Sequence, residues 1–244
     1  MHSPEQTPPR GRWRRTFTLV VGFLLVWAVA AYLIVPRLWE HYGRRHAAFE
    51  SIPGITYTGS GIPGDPLNVA LIGSKQEVMK LMVAAKYYPA DPLTLESCLE
   101  IAEATVLRRP YDHAPVSNLF LWGRKEDLAF EQPIGADPRQ RHHVRFWLSD
   151  QRDSDGRPVW VGATTRDKGV GLSHTTGQIT HHIAPDVDTE RDFLVDVLRQ
   201  TGRFSEVYYV NGFHKQLSGK NGGGDPWHTD GRLAVGVIGA KPSP

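Results

Sequence analysis

The apolar positions of this chain change period along its length. Phe17–Val35 (FTLVVGFLLVWAVAAYLIV) is nineteen residues without a charge. At ~1.5 Å per residue such a helix runs about 28 Å, close to the ~30 Å hydrocarbon core of a bilayer. Further on, Ser74-Lys75-Gln76-Glu77 forms a capping box, and Val78, Leu81, Met82 and Ala85 follow at helical spacing. Asp91-Pro92 starts a second periodic stretch through Leu95, Leu99, Ala102 and Val106. A third helix is expected at Asp186–Gln200, with early acids favouring the positive dipole end and Leu194, Val197 and Leu198 facing inward. Between and after them lie short strand candidates, Leu67–Ile72, Ser117–Trp122, Asp127–Glu131, His142–Leu148, Val159–Thr164, Val207–Val210 and Leu233–Ile238. Helices and strands do not alternate regularly. The expected class is therefore α+β with a mixed or largely antiparallel sheet and about three helices, behind one N-terminal transmembrane helix.

The order of segments follows from this pattern. Residues 1–16 are polar and expected to be a disordered cytoplasmic N-terminus, and 17–35 the transmembrane helix. Residues 36–64 read as a juxtamembrane stalk and linker, because Gly and Pro punctuate 53–66. The folded domain is expected over 65–238, and 239–244 as a disordered tail. A cleavable signal is the rival reading of the apolar run: arginines precede it, and Ala28-Val29-Ala30 is an A-x-A site. Against cleavage, the run continues to Val35 with no polar region before the site. Arg10, Arg12, Arg14 and Arg15 on one side, against Arg37, Arg44 and Arg45 on the other, orient the N-terminus to the cytoplasm. The expected location is the bacterial inner membrane, single-pass, with the domain outside.

Composition removes several function classes. The net charge is +2, and no Lys/Arg block stands out in the domain, so no nucleic-acid partner is expected. The single cysteine, Cys98, excludes an internal disulfide framework and a cysteine-built zinc site, and reads as a small buried hydrophobe.

Five segments carry a family resemblance: DPLNVALIGS (65–74), RRPYDHAPVSNLFLWGRKEDLAFEQP (108–133), RHHVRFW (141–147), VGLSHTTGQITHHIAPDVDTERD (170–192) and DPWHTDGRLAVGVI (225–238). Together they resemble the LssY C-terminal domain family, named for a component of a bacterial type I secretion system. The resemblance implies no assigned activity and no catalytic residues. In larger proteins the module follows polytopic domains similar to DedA and to phosphatidic-acid phosphatases. This chain departs from that layout, with one span and none of the phosphatase signatures, so that activity does not carry over.

Histidine is the one residue type distributed suggestively. His174, His181, His182, His214 and His228, with Asp230, are candidate ligands for a divalent metal, since imidazole and carboxylate both suit such ions. Their spacing matches no recurrent metal motif, so hydrogen-bonded structural or surface histidines are the competing reading. On one face of a strand, His143, Arg145 and Trp147 could hold an anion or a sugar, or form an exposed amphipathic surface. His181 and His182 also precede a helix N-terminus, where backbone N–H groups favour an anion. Gly171-Leu172-Ser173-His174-Thr175 lacks the final glycine of a nucleophile elbow, and Gly222-Gly223-Gly224 lacks the ending of a phosphate loop. Two functions stay open. One is a binding or accessory module at the membrane surface, with an envelope protein or lipid headgroup as partner. The other is a metal-dependent hydrolase of an anionic envelope substrate.

Overall fold

A computed structural model describes residues 10–90, 118–135, 140–175, 177 and 179–239. The expected helix from Asp91 to Val106, and Cys98 with it, lies outside these residues. The chain divides into two compact units, residues 1–46 and 47–244.

The first unit is a continuous helical rod. Helix α1 (Arg10–Val29) passes through a π-helical turn (Ala30–Ile34) into α2 (Val35–Ala47). Pro36 explains the wide turn. It has no N–H for the carbonyl four residues back and its ring crowds that carbonyl. The Val35 N–H instead reaches Ala30 O, five residues away. Trp13–Trp39 spans 27 residues and is long and apolar enough to cross a membrane. Helix begins at Arg10, inside the segment expected to be disordered.

The second unit is α+β and mostly antiparallel. Strands β1 (Ile55–Thr58) and β2 (Pro63–Pro66) pair as a hairpin where a linker was expected. The punctuating glycines and prolines serve its turn and edge rather than a flexible connection. After β3 (Val69–Ile72) comes α3 (Lys75–Ala84), started by the expected capping box, with Ser74 Oγ accepting from Glu77 N–H and the Glu77 carboxylate accepting from Ser74 N–H. The next strands are β4 (Tyr88–Pro89), β5 (Leu119–Leu121), β6 (Arg124–Lys125), β7 (Leu128–Pro133), β8 (Arg141–Arg152), β9 (Pro158–Leu172) and β10 (Ile179–Ile183). Helix α4 (Val187–Gln200) follows, then β11 (Phe204–Val210), β12 (Ser218–Lys220), β13 (Pro226–His228) and β14 (Leu233–Ile238).

Among the described residues, eight strands form the main sheet in the order β11-β14-β3-β9-β8-β7-β4, with β10 paired on β9. Of these pairings only β14–β3 is parallel. A second sheet has the order β2-β1-β5-β6, and β12–β13 is a separate hairpin. Alternation along β8 separates the two sides. Val144 and Phe146 join Met79, Leu81, Leu194 and Leu198 of the helices in one core. Trp147 joins Phe49, Leu67, Leu119 and Val161 in another core on the opposite side. Asn68 ties strand to helix: its amide accepts from Thr164 N–H (2.9 Å) and donates to Thr164 O and Val187 O (both 3.0 Å).

Candidate functional site

Strands β8, β9 and β10 project polar side chains where an apolar core would be the cheaper filling. The β8 alternation that buries Trp147 also points Arg141, His143 and Arg145 to the same side, and all four are at most 5% exposed. That overturns the exposed-surface reading of this face. Trp147 belongs to the core, its Nε1–H donating to Arg124 O at 3.3 Å. His143 and Arg145 instead line a cavity of about 220 Å³, together with Asp65, Asp167, His181 and Asn221.

Pairing within this cluster is dense. Arg141 donates to Glu131 (2.6 Å), to Asp167 (3.1 Å) and to Nε2 of His181 (2.8 Å). Because arginine only donates, His181 accepts through Nε2 and carries its proton on Nδ1, which lies 3.4 Å from Asp167. Burial, then the neighbouring Arg141 and Arg145, pushes the His181 imidazole down to about 4. Burial also pushes the Asp167 carboxyl up to about 6, with Arg141 opposing. Asp65 is raised as well, by burial working against Arg145, whose Nη1 is 3.5 Å away, and it accepts from the Asn221 amide at 3.1 Å. His143 is the most constrained group. Burial first, then Arg145, Arg141 and His181, holds it neutral, far below the ordinary histidine range. Its Nε2 is buried and has no hydrogen-bond partner among the described residues.

A second grouping sits beside the cavity. His174, His182 and Asp225 each bring one ligand atom within 4.8 Å of the others. His182 lies in β10, His174 just after β9, and Asp225 just before β13. His182 Nδ1 and Asp225 Oδ1 are 2.8 Å apart. Asp225 was not among the ligands expected from sequence, although its position in the Gly-rich loop was the available signal.

The other expected ligands are placed apart. His214 is buried and donates through Nε2 to Leu67 O at 2.6 Å, a structural contact. His228 is exposed, its backbone bridged to Asp186. Asp230 accepts from Arg191 (2.9 and 3.2 Å) and from Arg232 (2.8 Å). Burial pushes its carboxyl up, but these bonds outweigh it and hold the group below the ordinary carboxylate range. His181 belongs to the Arg141–Asp167 network. The N-terminus of α4 is also filled: Asp186 accepts from the N–H groups of Asp188 and Thr189 (both 3.1 Å), so its own carboxylate stands where an anion was expected. Asp65, Thr165, Asp167 and Asn221 escaped the sequence reading because they come from three stretches far apart in the chain, β2, β9 and the loop after β12.

The family model described as LssY C-terminus matches residues 49–233. No curated protein and no solved structure matches the chain. The match begins sixteen residues before the expected domain start at Asp65, so it includes the β1–β2 hairpin.

Proposed function

The chain belongs to the LssY C-terminus family, and from that premise we propose a membrane-anchored binding module whose cavity takes a small, neutral, hydroxyl-rich group, such as one sugar unit of an envelope glycan or glycolipid. The observation that carries this reading is the balance of the cavity. On its walls the guanidinium of Arg145 works against two carboxyls, Asp65 and Asp167, while Arg141 and Glu131 pair with each other outside the lining and Arg141 also holds Asp167. An anion only accepts hydrogen bonds and would meet Asp65 and Asp167. A cation only donates and would meet Arg145. A hydroxyl does both, and so suits walls that offer both. The volume, about 220 Å³, lies below the ~300–1,000 Å³ of sites for drug-sized ligands, which favours a single small group.

The apolar helix supports tethering, in the single-pass arrangement of a bacterial inner membrane with the N-terminus cytoplasmic. A signal sequence would occupy the same position, and retention of full-length chain in the membrane after alkaline extraction separates the two. The hydrolase alternative draws no support from the family match, which names no reaction. Ligand-detected NMR on the detergent-solubilised chain tests the binding reading with a panel of neutral monosaccharides and inorganic phosphate. Saturable sugar binding, weakened at least tenfold in Asp65→Asn, is the expected result. Phosphate binding in preference to every sugar would overturn it.

A further inference from the structure

We infer that His174, His182 and Asp225 form a binding site for a divalent transition metal of the zinc class at the edge of the cavity. Two imidazoles and a carboxylate are the donor set zinc accepts, and three protein ligands leave a fourth position open. The three come from separate stretches of chain yet bring their ligand atoms within 4.8 Å of one another. Tetrahedral bonds of ~2.0–2.1 Å set ligand atoms about 3.3 Å apart. The remaining gap closes by rotation of the exposed His174 ring.

The backbone around the site is fixed by its own hydrogen bonds. His174 N–H donates to Gly223 O at 2.8 Å. The Asn221 side chain accepts from the N–H groups of Gly223 (3.1 Å) and Asp225 (2.9 Å). Asp225 Oδ2 accepts from Ile183 N–H at 3.2 Å, which orients the carboxylate as an outer-shell partner does. Two glycines keep the space clear. A Cβ on Gly171 would stand 2.6 Å from His182 Nε2, and one on Gly224, at φ +86°, would stand 2.8 Å from His174 Cβ. In the metal-free protein the carboxylate accepts from His182, so that nitrogen carries a proton. A cation bound at Nδ1 takes the proton's place, and the neutral ring then carries its proton on Nε2, the tautomer that ligates through Nδ1. Ser173, Thr180 and Gly223 line the cavity as well, so the open position adjoins it.

Zinc titration of the chelator-treated, detergent-solubilised full chain tests the site, by isothermal calorimetry and by the visible spectrum of the cobalt-substituted protein. One metal per chain and a tetrahedral cobalt spectrum are expected. His174→Ala should weaken zinc at least tenfold with unchanged thermal unfolding in the absence of metal, because the side chain is exposed. His228→Ala, an exposed histidine outside the group, should bind as the parent does. No stoichiometric metal, or equal loss in His174→Ala and His228→Ala, would overturn the inference. Sugar binding is read separately, so failure there leaves this test intact.

Discussion

Asp167 offers a direct test of how buried charge behaves in this cavity. Its carboxyl lies 3.1 Å from Arg141 Nε, which alone would hold it ionised and depress its pKa. It is also only 2% exposed, and burial wins, raising it from 3.8 to about 6. At ~1.36 kcal/mol per pH unit, that difference corresponds to roughly 3 kcal/mol between the protonated and ionised forms. The sign follows from linkage. Between pH 4 and 6 the folded chain holds the Asp167 proton and the unfolded chain has lost it, so this group's contribution to stability falls as pH rises through that window. Asn at this position cannot ionise. The difference in unfolding free energy, Asp167→Asn minus parent, should therefore move in favour of the variant by about 2–3 kcal/mol from pH 4 to pH 7. Chemical denaturation in detergent at pH 4, 5, 6 and 7, followed by tryptophan fluorescence, measures it. Taking the difference removes groups common to both proteins. His181 is one of them: its lowered pKa makes stability rise with pH over about the same window and partly masks Asp167 in the parent curve. A difference flat in pH, or one moving toward the parent, would show that the Arg141 pairing dominates and refute the burial argument.

Two further outcomes follow from the framework around the site. Arg191 is fully buried and holds Asp188, Asp192 and Asp230; Arg191→Met should cost about 2 kcal/mol in denaturant unfolding at pH 7 by removing the partner the three share, less than for a fully buried pair because the carboxylates reach solvent and Asp230 keeps Arg232. The cost should shrink as pH drops below about 4, since a depressed carboxyl such as Asp230 stabilises above its unfolded pKa and loses that effect as acid protonates it. A cost that grows with acid would contradict the pairing. Asn68→Ala removes three buried hydrogen bonds and leaves the Thr164 N–H unmet; a loss of roughly 3 kcal/mol is expected, and an unchanged melting temperature would sink the idea that this side chain joins β3, β9 and α4.

Local rules made much of the fold readable. Leu233–Ile238 is a strand with the expected bounds. The capping box at Ser74 and the acid-rich start before Val187 mark helix starts through contacts within one turn. What escaped was short or irregular: β1 and β2, hidden among glycines and prolines, and the extension of β9 to Leu172, which carries β10 and places His181 and His182 on a strand rather than in a loop.

For the site the division is sharper. The spacing of His143, Arg145 and Trp147 put these residues on one face of a strand by period alone. Nothing in that period could say that the face is covered, because the cover comes from Thr58–Asp65 and Asn221–Gly223, far away in sequence. Burial then sets the chemistry, raising Asp167 and lowering His143 and His181 through desolvation that no local window contains. Likewise, histidine density raised the prospect of a metal, but the grouping of His174 and His182 with Asp225, and the capture of Asp230 by Arg191, depend on how loops pack over β9 and β10. An apolar helix long enough for a bilayer and an α+β domain behind it were legible from the residues alone, since both rest on periodicity and hydropathy read within a few turns. Which polar groups meet, and in what ionisation state, was decided only by tertiary structure, because desolvation and pairing are properties of the enclosed space.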